Sequence, residues 1–406
     1  MKISSIRSWV IRVPWDENPG GKGVRRSTTR AFVFVQVDTD EGITGWGEIT
    51  TYPGPVANRA VAAYVDQIGE WLKGENPEDI ERIWVKVFRA MTYVGTRGAT
   101  TAAISAIDIA LWDIRGKVLG QPVYKLLGGA VRESIALYTH PPEPKTPADI
   151  QASAKEIVAS GHEAFKMDPM MANLHVGNAS FLDGEISQDA EEKALEMLAA
   201  AREAVGPKIE ILIDAHGMYN VPTAVRLANK MAAYGIHWFE EPVPVESWKA
   251  LKQVKEETSV PISIGERLHT RWEVVPVLEN GLADFLMPDV TWTGGITELK
   301  KISAMAEAYY VPMTPHDASG PINVLAGAHV MMTVPNFYKL ETSRYDLSGY
   351  NVFIDTPLDI RKGHLYVPDR PGLGVELDKE FLAAHEASPE EAMSGNYDAR
   401  GRRLDR

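Results

Sequence analysis

Ile211-Leu212-Ile213-Asp214-Ala215-His216, His237-Trp238-Phe239-Glu240-Glu241-Pro242 and Ile262-Ser263-Ile264-Gly265-Glu266-Arg267 are three short apolar runs, each closing on an acid. Glu240 follows Asp214 by 26 residues, and Glu266 follows Glu240 by 26. A strand, a helix and the return to a parallel strand take about 30 residues. Each acid therefore ends its own strand, and the three ends lie side by side. One acid at a strand tip is commonly the N-cap of the following helix. Three in phase point instead to oxygen donors around a hard divalent cation with sites left open for substrate.

The same rhythm extends in both directions. Strands are predicted to end near His140, Asp168, Asp214, Glu240, Glu266, Pro288, Pro315 and Glu341. Helical stretches near 147–160, 188–205, 221–234, 246–257, 271–280, 296–309 and 321–333 separate them. Eight strands alternating with helices predict a closed (β/α)8-type TIM barrel. An open doubly wound sheet would have fewer strands and a glycine-rich phosphate turn after the first. Gly294-Gly295 comes late and lacks the rest of that fingerprint.

The chain has 406 residues, too many for one ordinary core, which predicts two domains. Residues 1–125 form an α+β capping domain in this reading. Ile3–Pro14 and Arg30–Asp40 alternate as strands, and Ala57–Leu72 and Thr100–Lys117 carry helical spacing. In the second helix Ala103, Ile107, Ala110, Leu111 and Ile114 fall on one face. The segment 15–29, rich in Gly, Asn and Arg, is predicted to be a specificity loop over the site. The barrel spans 130–345. The segment 346–406 is expected to return to the capping domain.

Composition narrows the function classes. The net charge is −13 and no basic stripe with interleaved aromatics is present, which argues against nucleic acid as a partner. There is no cysteine, so thiolate metal sites and cysteine nucleophiles are excluded. No stretch approaches roughly 18 uninterrupted apolar residues, so no membrane span is expected. The first residues lack an apolar signal core, and a cytoplasmic enzyme is the expectation.

Catalysis in such barrels sits at the C-terminal strand ends. The second strand ends Lys166-Met167-Asp168, and residues two apart point to the same side. The third ends Asp214-Ala215-His216, the fourth Glu240-Glu241, and the fifth Glu266-Arg267. The sixth ends at Asp289, the seventh at His316-Asp317, the eighth at Glu341. Any one of these could be an ordinary rim residue. A purely structural barrel has no need of ionisable groups at seven consecutive ends. The other eight histidines stand in no comparable context, and of these only His175, in the polar segment 169–187, is placed to touch substrate.

Several stretches then carry a resemblance. Gly45-Trp46-Gly47-Glu48 reads as a turn near the N-terminus, and Ala106-Ile107-Asp108-Ile109-Ala110-Leu111-Trp112-Asp113 as a helix. With Glu240-Glu241-Pro242, Gly265-Glu266-Arg267 and the Pro-Gly-Leu-Gly ending at Gly374, the chain resembles the enolase superfamily. The similarity is to the branch of mandelate racemase and the acid-sugar dehydratases.

The resemblance implies a modified (β/α)7β barrel. It implies Mg2+, with Mn2+ as an alternative, on Asp214, Glu240 and Glu266. It implies His316 as the base oriented by Asp289, and Glu341 hydrogen-bonding the substrate carboxylate as charge develops. His216 is the expected acid for a departing hydroxyl. Lys166 either holds the carboxylate or acts as a second base. Asp168, Arg267 and Glu241 are expected to bind substrate.

Departures narrow the branch. Muconate cycloisomerase and dipeptide epimerase relatives carry a lysine at the sixth strand end, where this chain has Asp289. Mandelate racemase has Lys-x-Lys and Asp-x-Asn where this chain has Lys166-Met167-Asp168 and Asp214-Ala215-His216. The Arg-Tyr pair of mannonate dehydratases is not found. The pattern looks most like galactonate, arabinonate and gluconate dehydratases, although galactonate dehydratases tend to show Asn where Asp168 stands. The expected activity is dehydration of an aldonate or aldarate to a 2-keto-3-deoxy acid by a homo-oligomeric lyase. Racemisation, epimerisation or cycloisomerisation of a related hydroxy acid is the alternative, and a non-catalytic sugar-acid binding protein the lesser one.

Overall fold

The computed structural model describes residues 1–14, 29–49, 57–142, 144–170 and 184–388. The expected specificity loop, apart from Thr29, and His175 lie outside these residues.

Three antiparallel strands, β1 (Ile3–Pro14), β2 (Thr29–Thr39) and β3 (Thr44–Ile49), form the N-terminal sheet in that order. Along β2 the two faces of the strand serve two cores. Val33, Val35 and Val37 pack with the helices Ala57–Leu72, Ile80–Ala90 and Ala99–Leu119. Phe32 and Phe34 join the barrel's core, together with Phe353 from the C-terminal segment. Burial on both faces explains an almost unbroken apolar run in this strand.

Gly45-Trp46-Gly47-Glu48 is not a turn. It is the body of β3, with Gly45 opposite Val37 and Gly47 opposite Val35. The glycines are there because the helix Ala99–Leu119 lies directly on them. A Cβ on Gly47 would sit 1.9 Å from the Ala106 carbonyl oxygen, and one on Gly45 2.2 Å from that of Ala110. That helix is buried on nearly all sides rather than on one face, wedged between sheet, neighbouring helices and barrel.

The barrel strands follow in chain order: β4 (Ile135–Thr139), β5 (Ala164–Met167), β6 (Glu210–Asp214), β7 (Trp238–Glu240), β8 (Ile262–Ile264) and β9 (Phe285–Leu286), each parallel to the next. The seventh position is reduced to Met313, which bridges Leu286 and Phe337. β10 (Leu340–Thr342) then pairs in parallel with β4, Glu341 opposite Tyr138, and closes the ring. Helices Pro147–Ala159, Gln188–Val205, Val221–Met231, Trp248–Glu257, Thr270–Glu279, Gly295–Ala308 and Pro321–Met331 fill the seven intervals. Directly after β10 a 3-10 turn at Ser348–Val352 stands where an eighth barrel helix would follow, which makes the ring (β/α)7β.

The C-terminal segment divides. β11 (Asp359–Arg361) and β12 (His364–Tyr366) pair with each other, and β12 runs antiparallel to the start of β4, so this hairpin joins the barrel and not the capping sheet. Residues 372–387 lie on the N-terminal domain: the Leu373 N–H donates to Asp113 and the Ala387 N–H to the Val10 carbonyl. The domains are also stitched at the helix Gly295–Ala308, whose N-cap is a glycine without a side chain to offer. Ser105 and Asp108 of the N-terminal domain accept the Gly294 and Thr297 N–H groups at 2.8 and 2.9 Å in its place. No helix among the described residues is long and apolar enough to cross a membrane.

Candidate active site

The paired register of β6 and β7 sets Asp214 beside Glu240, and Glu266 follows two residues beyond β8. One carboxylate oxygen from each of the three can be chosen so that all lie within 4.8 Å of one another. Burial and the neighbouring Asp214 hold the Glu240 carboxyl well above its ordinary range. Burial disfavours charge on Glu266 too, but Arg267 and His316 outweigh it and hold that carboxyl low. Lys166, itself buried, places its ammonium 2.5 Å from Glu240, 2.8 Å from Glu341 and 3.2 Å from Asp214. Lys166 divides one charge among three carboxylates, and Arg267 and His316 reach only Glu266 of the three acids. An all-oxygen donor set of this charge fits a hard divalent cation.

Two histidines flank this centre. His316 Nδ1 lies 2.9 Å from Asp289 Oδ2, and its Nε2 3.0 Å from Glu266 Oε2. Asp289 is steadied in turn by the Thr291 N–H and hydroxyl, at 2.8 and 2.7 Å. On the other side, His216 Nδ1 lies 2.8 Å from Asp168 Oδ2 and Nε2 3.4 Å from Asp214 Oδ2. Burial opposes charge on His216, yet Asp214 and Asp168 outweigh it and push the ring up to about 9. His216 has φ 52° and Glu241 φ 41°, left-handed conformations that cost a non-glycine residue about 1–2 kcal/mol. The two turns interlock, with the Gly217 N–H donating to the Glu241 carbonyl at 2.7 Å.

Arg267 is taken up by protein. It pairs with Glu266, lies 3.5 Å from Glu241, and donates to the His216 carbonyl at 2.9 Å. Glu241, expected to bind substrate, is fully buried and accepts the Gly265 N–H at 2.8 Å. It lies one residue past the end of β7, in the left-handed turn. In this structure it braces Arg267. Asp168 likewise spends its oxygens on His216 and on the Met170 N–H.

Glu341 accepts from Tyr138 Oη at 2.9 Å, Lys166 at 2.8 Å and the Asp317 N–H at 3.3 Å, and it meets His140 Nε2 at 2.5 Å. With donors on every side it is an ionised acceptor. Tyr138 and His140 were not singled out in the sequence. Their partner stands about 200 residues away in the chain, and only closure of β10 onto β4 brings them together.

A family model described as enolase C-terminal domain-like matches residues 149–381. The model of the mandelate racemase / muconate lactonizing enzyme N-terminal domain matches residues 5–128. The chain belongs to the enolase superfamily. A D-galactonate dehydratase family member from Streptomyces bingchenggensis is 34% identical to it, covering 89% of this chain and 92% of its own length. A D-galactarolactone cycloisomerase from Agrobacterium fabrum is 32% identical, covering 94% and 98%. Among solved structures, an enolase superfamily member from Salmonella Typhimurium superposes with TM-score 0.85 at 30% identity, covering 94% of this chain and 97% of that one.

Proposed function

We propose that this enolase-superfamily protein is a Mg2+-dependent sugar-acid dehydratase, a lyase that removes the proton α to a carboxylate and expels the β-hydroxyl. The product is a 2-keto-3-deoxy acid. The observation that carries the reading is the pair of histidines, each tied to its own carboxylate, on two sides of Asp214, Glu240 and Glu266. Elimination needs a base for the carbon and an acid for the departing oxygen.

His316 is the base. Asp289 holds its Nδ1–H and so directs Nε2 into the centre, where it lies 3.0 Å from Glu266 Oε2; with that oxygen given over to a metal ion, Nε2 would be the nitrogen left for the α-proton. His216, held by Asp168, delivers a proton to the leaving hydroxyl. Lys166 supplies fixed positive charge for the substrate carboxylate, and Glu341 anchors Lys166 in place. Mg2+ on Asp214, Glu240 and Glu266, or Mn2+ in its stead, supplies charge to stabilise the electron density the carboxylate gains. The same reading has the protein act in the cytoplasm as a homo-oligomer, with the sugar acid as its small-molecule partner.

The similarity to a D-galactarolactone cycloisomerase supports a second reading, in which the same base serves ring rearrangement without net loss of water. Incubation with Mg2+ and a panel of aldonic acids, aldaric acids and their lactones separates the two. A semicarbazide-reactive 2-keto acid is expected. An isomerised lactone without keto acid would favour cycloisomerisation, and no change in any compound would remove both.

A further inference from the structure

We propose that His140 contacts the substrate, accepts a hydrogen bond from one of its hydroxyls, and so makes the site select aldonates over aldarates. The inference rests on the sugar-acid dehydratase reading and concerns a residue with no part in that mechanism.

His140 follows β4, the first barrel strand, directly at its C-terminal end. β4 pairs with β5, which holds Lys166 and leads into Asp168, and with β10, which holds Glu341. The ring thus stands at the rim of the same centre. Its side chain is 33% exposed, unlike Lys166 and Glu341 at 1% each. It is anchored on one side and open on the other.

Glu341 fixes which nitrogen carries the hydrogen. Its carboxylate already accepts from Lys166, Tyr138 and the Asp317 N–H, so it has only lone pairs to offer His140 Nε2. Nε2 therefore carries the proton and Nδ1 is bare. Nδ1 has no hydrogen-bond partner among the described residues. Burial keeps the ring below its usual protonation range despite the pull of Glu341, which leaves Nδ1 an acceptor at neutral pH.

A bare imidazole nitrogen backed by a carboxylate discriminates by chemistry. A hydroxyl can donate to it. A second substrate carboxylate can only set lone pair against lone pair, with the Glu341 charge behind. Neither cation of the centre offsets that, since Lys166 serves the reacting carboxylate and Arg267 is held by Glu266 and Glu241. Sites built to pair a hydroxyl discriminate strongly against analogues that cannot make the bond.

The test uses matched pairs, gluconate with glucarate and galactonate with galactarate. Calorimetric affinity and kcat/KM are measured for wild type, His140→Lys and His140→Leu with Mg2+. Wild type is expected to favour the better aldonate over its aldarate by at least about 10-fold. His140→Leu should lose that margin by weakening the aldonate. His140→Lys should shift the ratio towards the aldarate by about 10-fold or more. The partly exposed position leaves the barrel core intact, and a ratio within one variant is insensitive to the fraction folded. An aldarate preference in wild type, or an unchanged ratio in both variants, overturns the inference while leaving the dehydratase reading in place. Failure of all four acids to bind or react overturns that reading, and this inference with it.

Discussion

Asp168 and His216, 48 residues apart in the chain, meet with Asp168 Oδ2 2.8 Å from His216 Nδ1. This contact turns His216 so that its other nitrogen faces Asp214, and it makes a second histidine–carboxylate pair opposite His316 and Asp289. Asp168→Asn should keep the shape but remove the carboxylate. The expected result is a fall in kcat on the order of 10–100-fold with KM little changed, measured by 2-keto acid formation. An unchanged kcat would leave the pair without a catalytic part.

Glu240 sits at the middle of the three crowded acids. Glu240→Gln should weaken Mg2+ binding by about 100-fold or more and abolish turnover. Calorimetry that finds wild-type Mg2+ affinity in this variant would remove Glu240 from the metal site.

His316 takes the α-proton in this account. His316→Asn should reduce both turnover and exchange of the α-proton with D2O by about 10²–10⁴-fold. NMR showing exchange at the wild-type rate would move the base role to Lys166.

Gly47 lies where the buried helix Ala99–Leu119 crosses β3, with no room for a methyl group against the Ala106 backbone. Gly47→Ala should destabilise the protein by at least about 3 kcal/mol in urea unfolding. A midpoint equal to wild type would mean that helix and sheet can part at no cost.

His329 is buried between the N-terminal domain and the C-terminal segment. Its Nδ1 accepts the Tyr124 N–H at 3.2 Å, and its Nε2 faces the Leu373 carbonyl at 3.1 Å. Burial pushes the ring down to about 4. The unfolded chain binds this proton below about 6.5, while the folded protein refuses it until about 4. The stability His329 contributes is therefore complete above about pH 6.5 and is lost as pH falls towards 4, by on the order of 3 kcal/mol. Unfolding midpoints at pH 7.5 and pH 5 should show a smaller acid loss for His329→Gln than for wild type. Parallel losses would contradict this role.

The barrel was legible because its strand ends recur with near-constant spacing, and the acids at those ends mark the phase. β3 was not, because glycine at every second position reads as a turn until the helix resting on it is known. Glu241 could not be placed by strand alternation, because it lies one residue past the end of β7 with φ 41°, and only that turn sets it against Arg267 and the Gly265 N–H. His140 carried half a signal: it ends the first predicted strand, but its pairing with Glu341 needs the closure of β10 onto β4. The split of the C-terminal segment between barrel and cap depends on β12 finding the free start of β4, a long-range pairing with no short-range signal.

The division of labour between the two histidines is the central claim, and it is tested most directly by His216→Asn incubated in D2O with Mg2+ and a turned-over sugar acid. The account predicts deuterium at the α-carbon by NMR, introduced through His316, while 2-keto acid fails to accumulate. Keto acid formed at close to the wild-type rate would contradict it, because the departing hydroxyl would then need no proton from His216.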